Sequence, residues 1–420
     1  MVLAALALAG CSGKPSSPPA AGQPAGESKP KATATPGPTE QLQQLLATRA
    51  EALTQGHADA FLATSTGEQA KRDKRQIAAA KALPLARVRL TADATEIEGD
   101  RATIRADMSY RFEGIDTTYY KTSRMTAIHT PDGWRISNDR PSAGTRAPWE
   151  HTRYKARTSK HFLALTPGKL RVGNLMRDLE RGRSRMLAGL PGVRPPRKVL
   201  VIVARNGRDL NALTTNRKTK SSLIAVHESR FATTGRAKKV SRVWGERVFV
   251  MWRSYQAGSS TERRQIVAHE LVHAALAHRT SARTPPWLFE GIALYGSRDN
   301  RSGEAGALIS GRGVLRDPAR QGEAERAMSL SLLSRPSALA SLHSDVGISF
   351  AYSYASAVAY AIAEKHGPRA LLRLLTAYNS GKYRGSGRKL ADRVVRGTLK
   401  TSLRALEREV DAYATANSSF

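Results

Sequence analysis

His269-Glu270-Leu271-Val272-His273 restricts this chain more than any other stretch. In a helix the two histidines lie about 40° apart on the wheel and one turn apart along the axis, so both imidazoles can reach a single metal ion. Glu270 is turned about 60° beyond His273, beside a water that such an ion would hold. The segment must therefore be helical, and the fold must bury most of it.

The flanking residues support that helix. Ser259 and Glu262 have the S-x-x-E spacing of a capping box, so a helix can begin at Ser260 and run to about Arg279. His278 falls roughly opposite His269 on this helix and is not a ligand candidate. Downstream, Thr284 can cap a second helix with Pro285 in its first position, which places Glu290 in the helix body. Sixteen residues separate His273 from Glu290, enough for a turn and an antiparallel return, and Gly291 permits close helix contact. Two histidines and a glutamate leave one position open for water, the composition of a catalytic zinc site.

Cysteine usage agrees with this donor set. Cys11 is the only cysteine, which excludes intramolecular disulfides and thiolate zinc clusters. With 420 residues the chain can bury a large core over two or three domains, so a metal is not needed for folding.

Cys11 also ends an apolar run from Met1, closing as Leu8-Ala9-Gly10-Cys11, which looks like a bacterial lipobox although no Lys or Arg precedes it. Residues 1–11 are accordingly expected to be a lipoprotein signal peptide, with lipid on Cys11 and an extracytoplasmic, membrane-anchored protein. The other reading is a frayed apolar terminus with an ordinary thiol. Residues 12–38 are rich in Pro, Ala, Gly, Ser and Lys and form a linker, since they cannot bury enough apolar surface to fold. No other segment approaches the roughly 18 apolar residues of a spanning helix.

The net charge of +32, from 67 Lys+Arg against 35 Asp+Glu, raises nucleic-acid binding. The basic residues are scattered, however, and no zinc finger, RNP-like motif or helix-turn-helix accompanies them. A solvated cationic surface is expected, with anionic lipid headgroups or acidic cell-wall polymers as the partners that suit an exported protein, and no specific nucleic acid.

The periodicities give an α+β chain. Leu42, Leu45, Leu46, Ala50, Leu53 and Phe61 mark a helix from Glu40 to about Leu62. Strand-like runs follow at Leu85–Thr91, Arg101–Phe112 and Thr118–His129, and Pro131-Asp132-Gly133 turns into Trp134-Arg135-Ile136. Helices followed by an antiparallel sheet ending in a Trp-containing strand resemble the NTF2-like domains of exported bacterial proteins, here over residues 39–140, in a binding or spacer role. A boundary is expected over 139–150. Beyond it come a helix from Leu170 to Leu190, strands at Lys198–Val203 and Arg247–Trp252, and helices at Phe350–Lys365 and Pro368–Tyr378.

Trp287-Leu288-Phe289-Glu290-Gly291-Ile292-Ala293-Leu294-Tyr295, taken with the HExxH run, resembles the gluzincins of the thermolysin-like clan, and within them the peptidase MA-like domains of exported bacterial lipoproteins. The resemblance covers about residues 195–410. It implies a zincin-like catalytic domain within 150–420: a small mixed sheet with an edge strand, the HExxH helix and a helical C-terminal part. It further implies His269, His273 and Glu290 as zinc ligands, Glu270 as general base, and a peptide or protein substrate. The strand Arg247–Trp252 stands where such enzymes carry the edge strand that pairs with substrate. The Met-turn and third histidine of metzincins are absent, as is the G-x-M-E-N stretch of one aminopeptidase branch. Leu294 stands where relatives often have a carboxylate that supports a ligand histidine. Relatives place a tyrosine over the zinc at the start of a later helix, and Tyr352 fits that place better than Tyr354; a packing tyrosine is the other reading. The sequence thus suggests a lipid-anchored zinc metallopeptidase, and, from another class, an inert envelope-binding or scaffold lipoprotein that kept a peptidase-like fold.

Overall fold

A computed structural model describes residues 36–214, 224–234, 239–312, 315 and 317–418; Cys11 and nearly all of the linker lie outside the described residues. In the first part, Leu42, Leu46, Ala50 and Leu53 recur every three or four residues and bury one stripe of helix α1 (Pro38–Gln55). The helix stops at Gly56, whose φ of +69° is a left-handed conformation that favours glycine, and whose N–H caps the Ala52 carbonyl. The one helix expected from Glu40 to Leu62 is therefore two, α1 and α2 (Ala58–Leu62), and α3 (Gly67–Ala80) follows.

Strands β1 (Leu85–Glu98), β2 (Arg101–Phe112), β3 (Tyr119–Thr130) and β4 (Gly133–Pro141) form an antiparallel meander in that order. Alternation decides its faces: Ala102, Ile104, Ala106, Met108, Tyr110 and Phe112 all point to the helices, while the residues between them are at least partly exposed. Buried ions under the sheet are paired. Lys121 bonds Asp139 at 2.9 Å and also Glu150, and Arg49 grips both oxygens of Asp73 at 2.7 and 2.8 Å. Unpaired, any of these would cost several kcal/mol.

The second sheet takes in α4 (Pro148–His151), β5 (Tyr154–Thr158), β6 (Phe162–Pro167), α5 (Leu175–Gly189), β7 (Val199–Ala204), α6 (Gly207–Leu213), β8 (Ala225–Thr234) and β9 (Lys239–Met251). Its order is β5-β6-β7-β9-β8, with β6, β7 and β9 parallel and an antiparallel strand at each edge. β9 is therefore interior, contrary to the edge position expected for Arg247–Trp252. β8 folds back on it, with Val226 opposite Phe249, and takes the edge beside the HExxH helix. The sequence concealed β8 because His227, Glu228 and Arg230 interrupt its apolar pattern.

Every residue of β7 is buried, as a central strand covered on both faces requires. Val199, Val201 and Val203 join the core under the helices, while Leu200, Ile202 and Ala204 join the core that continues into the four-stranded sheet. Residues 139–150 consequently form a packed junction. Trp149 is buried edge-on against Tyr110 at 4.9 Å, the Tyr119 hydroxyl donates to the Glu246 carbonyl at 2.9 Å, and Gly245 N–H donates to the Thr118 carbonyl at 2.9 Å.

The remaining chain is helical: α7 (Trp252–Ala257), α8 (Ser260–Leu276), α9 (Pro286–Gly296), α10 (Ser302–Ile309), α11 (Pro318–Ala327), α12 (Leu330–Leu333), α13 (Asp345–His366), α14 (Arg369–Asn379), α15 (Gly387–Leu399) and α16 (Leu403–Ala416). Helix α13 is long and apolar enough to cross a membrane by length and composition, which corrects the expectation that no such segment follows the N-terminus. It is mostly buried among α9, α10, α11, α14 and α16, so packing against protein accounts for its apolar character.

Candidate metal centre

Helix α8 starts as its capping box dictates. The Ser259 hydroxyl accepts from Glu262 N–H at 3.2 Å, and the Glu262 carboxylate accepts from Ser259 N–H at 2.7 Å. It ends in a 3₁₀ turn, Ala277–Arg279, that leaves His278 exposed and away from the site. Helix α9 begins one residue later than expected, at Pro286, because the Thr284 hydroxyl accepts Ser281 N–H at 3.0 Å and closes the turn before it.

Two close approaches fix these helices. A Cβ on Gly182 of α5 would lie 2.4 Å from Val267 Cγ1, and one on Gly291 would lie 2.6 Å from the Ala355 carbonyl. Thus α5 presses on α8, and α9 presses on α13. The contact foreseen at Gly291 is made with α13 and not with the HExxH helix.

Between α8 and α9 three side chains converge, each only 2–3% exposed. Glu290 Oε2 is 3.2 Å from His269 Nε2 and 3.2 Å from His273 Nε2, and the two nitrogens are 3.1 Å apart. A tetrahedral ion with bonds of ~2.0–2.1 Å has ligands ~3.3 Å apart, so the triangle has the size such an ion needs. The three residues could hold a metal ion. Their donor chemistry agrees, since two imidazole nitrogens and a carboxylate oxygen are the kind of ligands such an ion takes. One usual support is missing: Nδ1 of both histidines is buried with no partner among the described residues, and Leu294 is fully buried in the apolar core.

Glu270 lies beside the triangle, and one of its oxygens accepts the backbone N–H of His227, on β8, at 2.7 Å. Burial pushes its acid up to about 7; the charge of Glu290 adds to this, and His273 and the His227 N–H oppose it. Burial acts in the same direction on Glu290, but there His273 and the hydrogen bonds from both imidazoles outweigh it and hold the acid down at about 2. The two carboxylates differ in proton affinity because only one sits among the imidazoles.

Tyr352 is buried next to the group, its ring 6.3 Å from that of His269. Its hydroxyl makes no hydrogen bond of full geometry among the described residues but interacts with the Glu290 carboxylate, and burial, together with the charges of Glu290 and Glu270 and that interaction, drives its ionisation well above the usual tyrosine range. Tyr354 points elsewhere and donates to Asp411 of α16 at 3.1 Å.

Two neighbours were not visible in the sequence. Phe289 stacks on His273 at 4.1 Å, and the His227 ring lies nearly parallel to that of His273 at 6.5 Å. Phe289 could have been noted as the neighbour of Glu290, whereas His227 carries no local signal and is placed only by the pairing of β8. No protein-family model matches the chain, and no curated protein matches it.

Proposed function

We propose that this chain is a zinc-dependent metallopeptidase of gluzincin type, its zincin-like domain preceded by an NTF2-like unit and held at the outer face of a membrane by lipid on Cys11. The observation that carries this reading is the buried triangle of His269, His273 and Glu290 with Glu270 beside it. Zinc bound there would polarise a peptide carbonyl and bring the pKa of its water toward ~7. Glu270 is placed to accept that proton, its carboxylate plane set by the His227 N–H. The Tyr352 hydroxyl, buried without a hydrogen bond of full geometry among the described residues, is a ready donor to the oxyanion of the tetrahedral intermediate. Phe289, stacked on His273, covers one face of that ring.

Metal analysis of the purified chain, with His273→Ala as control, tests the site. Stoichiometric zinc in the parent and its loss in the variant are expected, and a parent without zinc overturns the proposal. Glu270→Gln should keep zinc while peptide hydrolysis falls by about 10²–10⁴.

One observation favours a second reading, an inert envelope scaffold with a peptidase-like fold. Both ligand histidines lack the outer hydrogen bond that normally orients such a ring. On that reading the parent hydrolyses no peptide and Glu270→Gln changes nothing.

A further inference from the structure

A cavity of about 320 Å³ adjoins the candidate metal centre. Its walls come from both halves of the chain: Asp116 and Thr118 from the loop after β2, Trp244 and Glu246 from β9, His227 from β8, and Ala274, the residue after His273. At ~30 Å³ per water it has room for on the order of ten waters, or one long side chain with its backbone. Trp244 is steadied by an edge-on contact with Tyr120 at 6.2 Å and offers an aromatic wall.

Two polar side chains at this cavity make no hydrogen bond among the described residues. The Glu246 side chain is only 19% exposed, yet its one ionic neighbour among the described residues is His227 Nε2 at 3.9 Å, beyond hydrogen-bond reach. Arg247 on the same wall is engaged by Glu228 at 2.9 Å and by the Leu213 carbonyl at 2.6 Å. Lys198 and Arg242 also line the cavity, but among the described residues neither forms an ion pair with Glu246. Burial alone therefore governs this carboxyl and pushes it up to about 7. His227 is 1% exposed, and neither ring nitrogen has a hydrogen-bond partner among the described residues. A shielded carboxylate and an unsatisfied imidazole side by side are costly in a folded chain, and the cost is recovered only when something bonds to them.

We propose that this cavity binds a cationic nitrogen group of the substrate, an ammonium or guanidinium, with Glu246 as its counter-ion. The name substrate rests on the peptidase reading; the binding chemistry does not. Glu246 is then a specificity residue next to the metal centre, and the β2–β3 loop gives the N-terminal unit a direct part in choosing what is bound. The two oxygens of Glu246 match a donor with several N–H groups, and the Trp244 face suits either its cationic head or its aliphatic stem.

The test is calorimetric titration of the full chain with Nα-acetyl-arginine methylamide, its norleucine counterpart, and alanine amide, whose only cation is a free α-amine. The arginine compound should bind roughly 10-fold or more tighter than the norleucine one, and Glu246→Gln should erase that preference. Tight binding of alanine amide instead would support the cation site and assign it to a peptide N-terminus. Equal binding of the arginine and norleucine compounds together with no binding of alanine amide, or a preference that survives Glu246→Gln, overturns the proposal. Thermal melting is the second readout. Glu246→Gln should melt no lower than the parent, because no ion pair to Lys or Arg among the described residues is lost, and a clear fall would show that the carboxylate has a structural role. If no peptide is hydrolysed but the cation preference holds, the peptidase reading fails and the binding site stands.

Discussion

Replacing Gly291 with alanine tests whether packing between α9 and α13 positions the candidate metal ligands. The new Cβ would lie 2.6 Å from the Ala355 carbonyl oxygen and 3.2 Å from Ala359 Cβ. Ordinary carbon–oxygen contacts are about 3.3–3.6 Å, so α9 must retreat by roughly 0.7–1 Å. A flexible side chain could rotate aside, but a helix carbonyl cannot. Overpacking of this kind costs about 1–3 kcal/mol, and the better helix propensity of alanine returns at most ~1 kcal/mol. The net expectation is a loss of up to about 2 kcal/mol where propensity alone would give a gain. Glu290 precedes Gly291 in the same helix, and its Oε2 must stay 3.2 Å from both imidazole nitrogens. Sites of this kind tolerate shifts of only ~0.5 Å, so metal affinity should fall by roughly 10–100-fold. Denaturant unfolding with and without zinc, and competition against a chromophoric chelator, measure the two effects. A variant more stable than the parent, with unchanged zinc affinity, would refute the account of how α9 is held.

Three further outcomes are expected. Tyr352→Phe should lower kcat by about 10²–10³ with zinc content unchanged, whereas Tyr354→Phe, which loses only the bond to Asp411, should alter stability and leave turnover alone; equal kinetic effects would remove the oxyanion role from Tyr352. Asp209 is buried, and although burial raises its acid, hydrogen bonds from Arg205, His151 and the Arg205 backbone N–H hold it down at about 2. Because its folded-state pKa is depressed, its contribution is present above the unfolded value of ~3.9 and is lost as pH falls toward ~2. Since Arg205 is half exposed, the contribution is at most ~2 kcal/mol, and Asp209→Asn should flatten that part of the stability profile between pH ~4 and ~2. Removing residues 1–147 would uncover Leu163, Leu165, Leu200, Ile202, Phe249 and Met251; at ~1.5–3 kcal/mol each this is on the order of the whole stability of a domain, so the remainder should aggregate and bind a hydrophobic dye. A soluble, zinc-loaded remainder would show that the two sheets are independent.

The candidate site was legible where its chemistry is local. Ser259 and Glu262 fix where α8 starts, and the four-residue spacing of His269 and His273 then sets their common face whatever the rest of the chain does. The triangle of distances follows from two helices that the sequence punctuates at Ser259 and near Thr284. What remained hidden depends on contacts between strands far apart in sequence. Nothing in Ala225-Val226-His227-Glu228 announces an edge strand, because that role is defined by Val226 lying opposite Phe249 and by the His227 N–H reaching Glu270 across 43 positions. At the 139–150 boundary the packing was hidden for a related reason. Proline, glycine and charge there mark where one sheet gives way to the next, and that the two share a core depends on the outward apolar face of β6, β7 and β9, which α6 and the four-stranded sheet cover. That covering brings Thr118 to Gly245 and creates the cavity around Glu246. A glutamate between Gly245 and Arg247 reads as an ordinary solvated charge in one dimension. It becomes a shielded carboxylate, with no ion pair to Lys or Arg among the described residues, only when the second sheet is roofed by the first, so any selectivity it confers belongs to the joined halves and should disappear if they are separated.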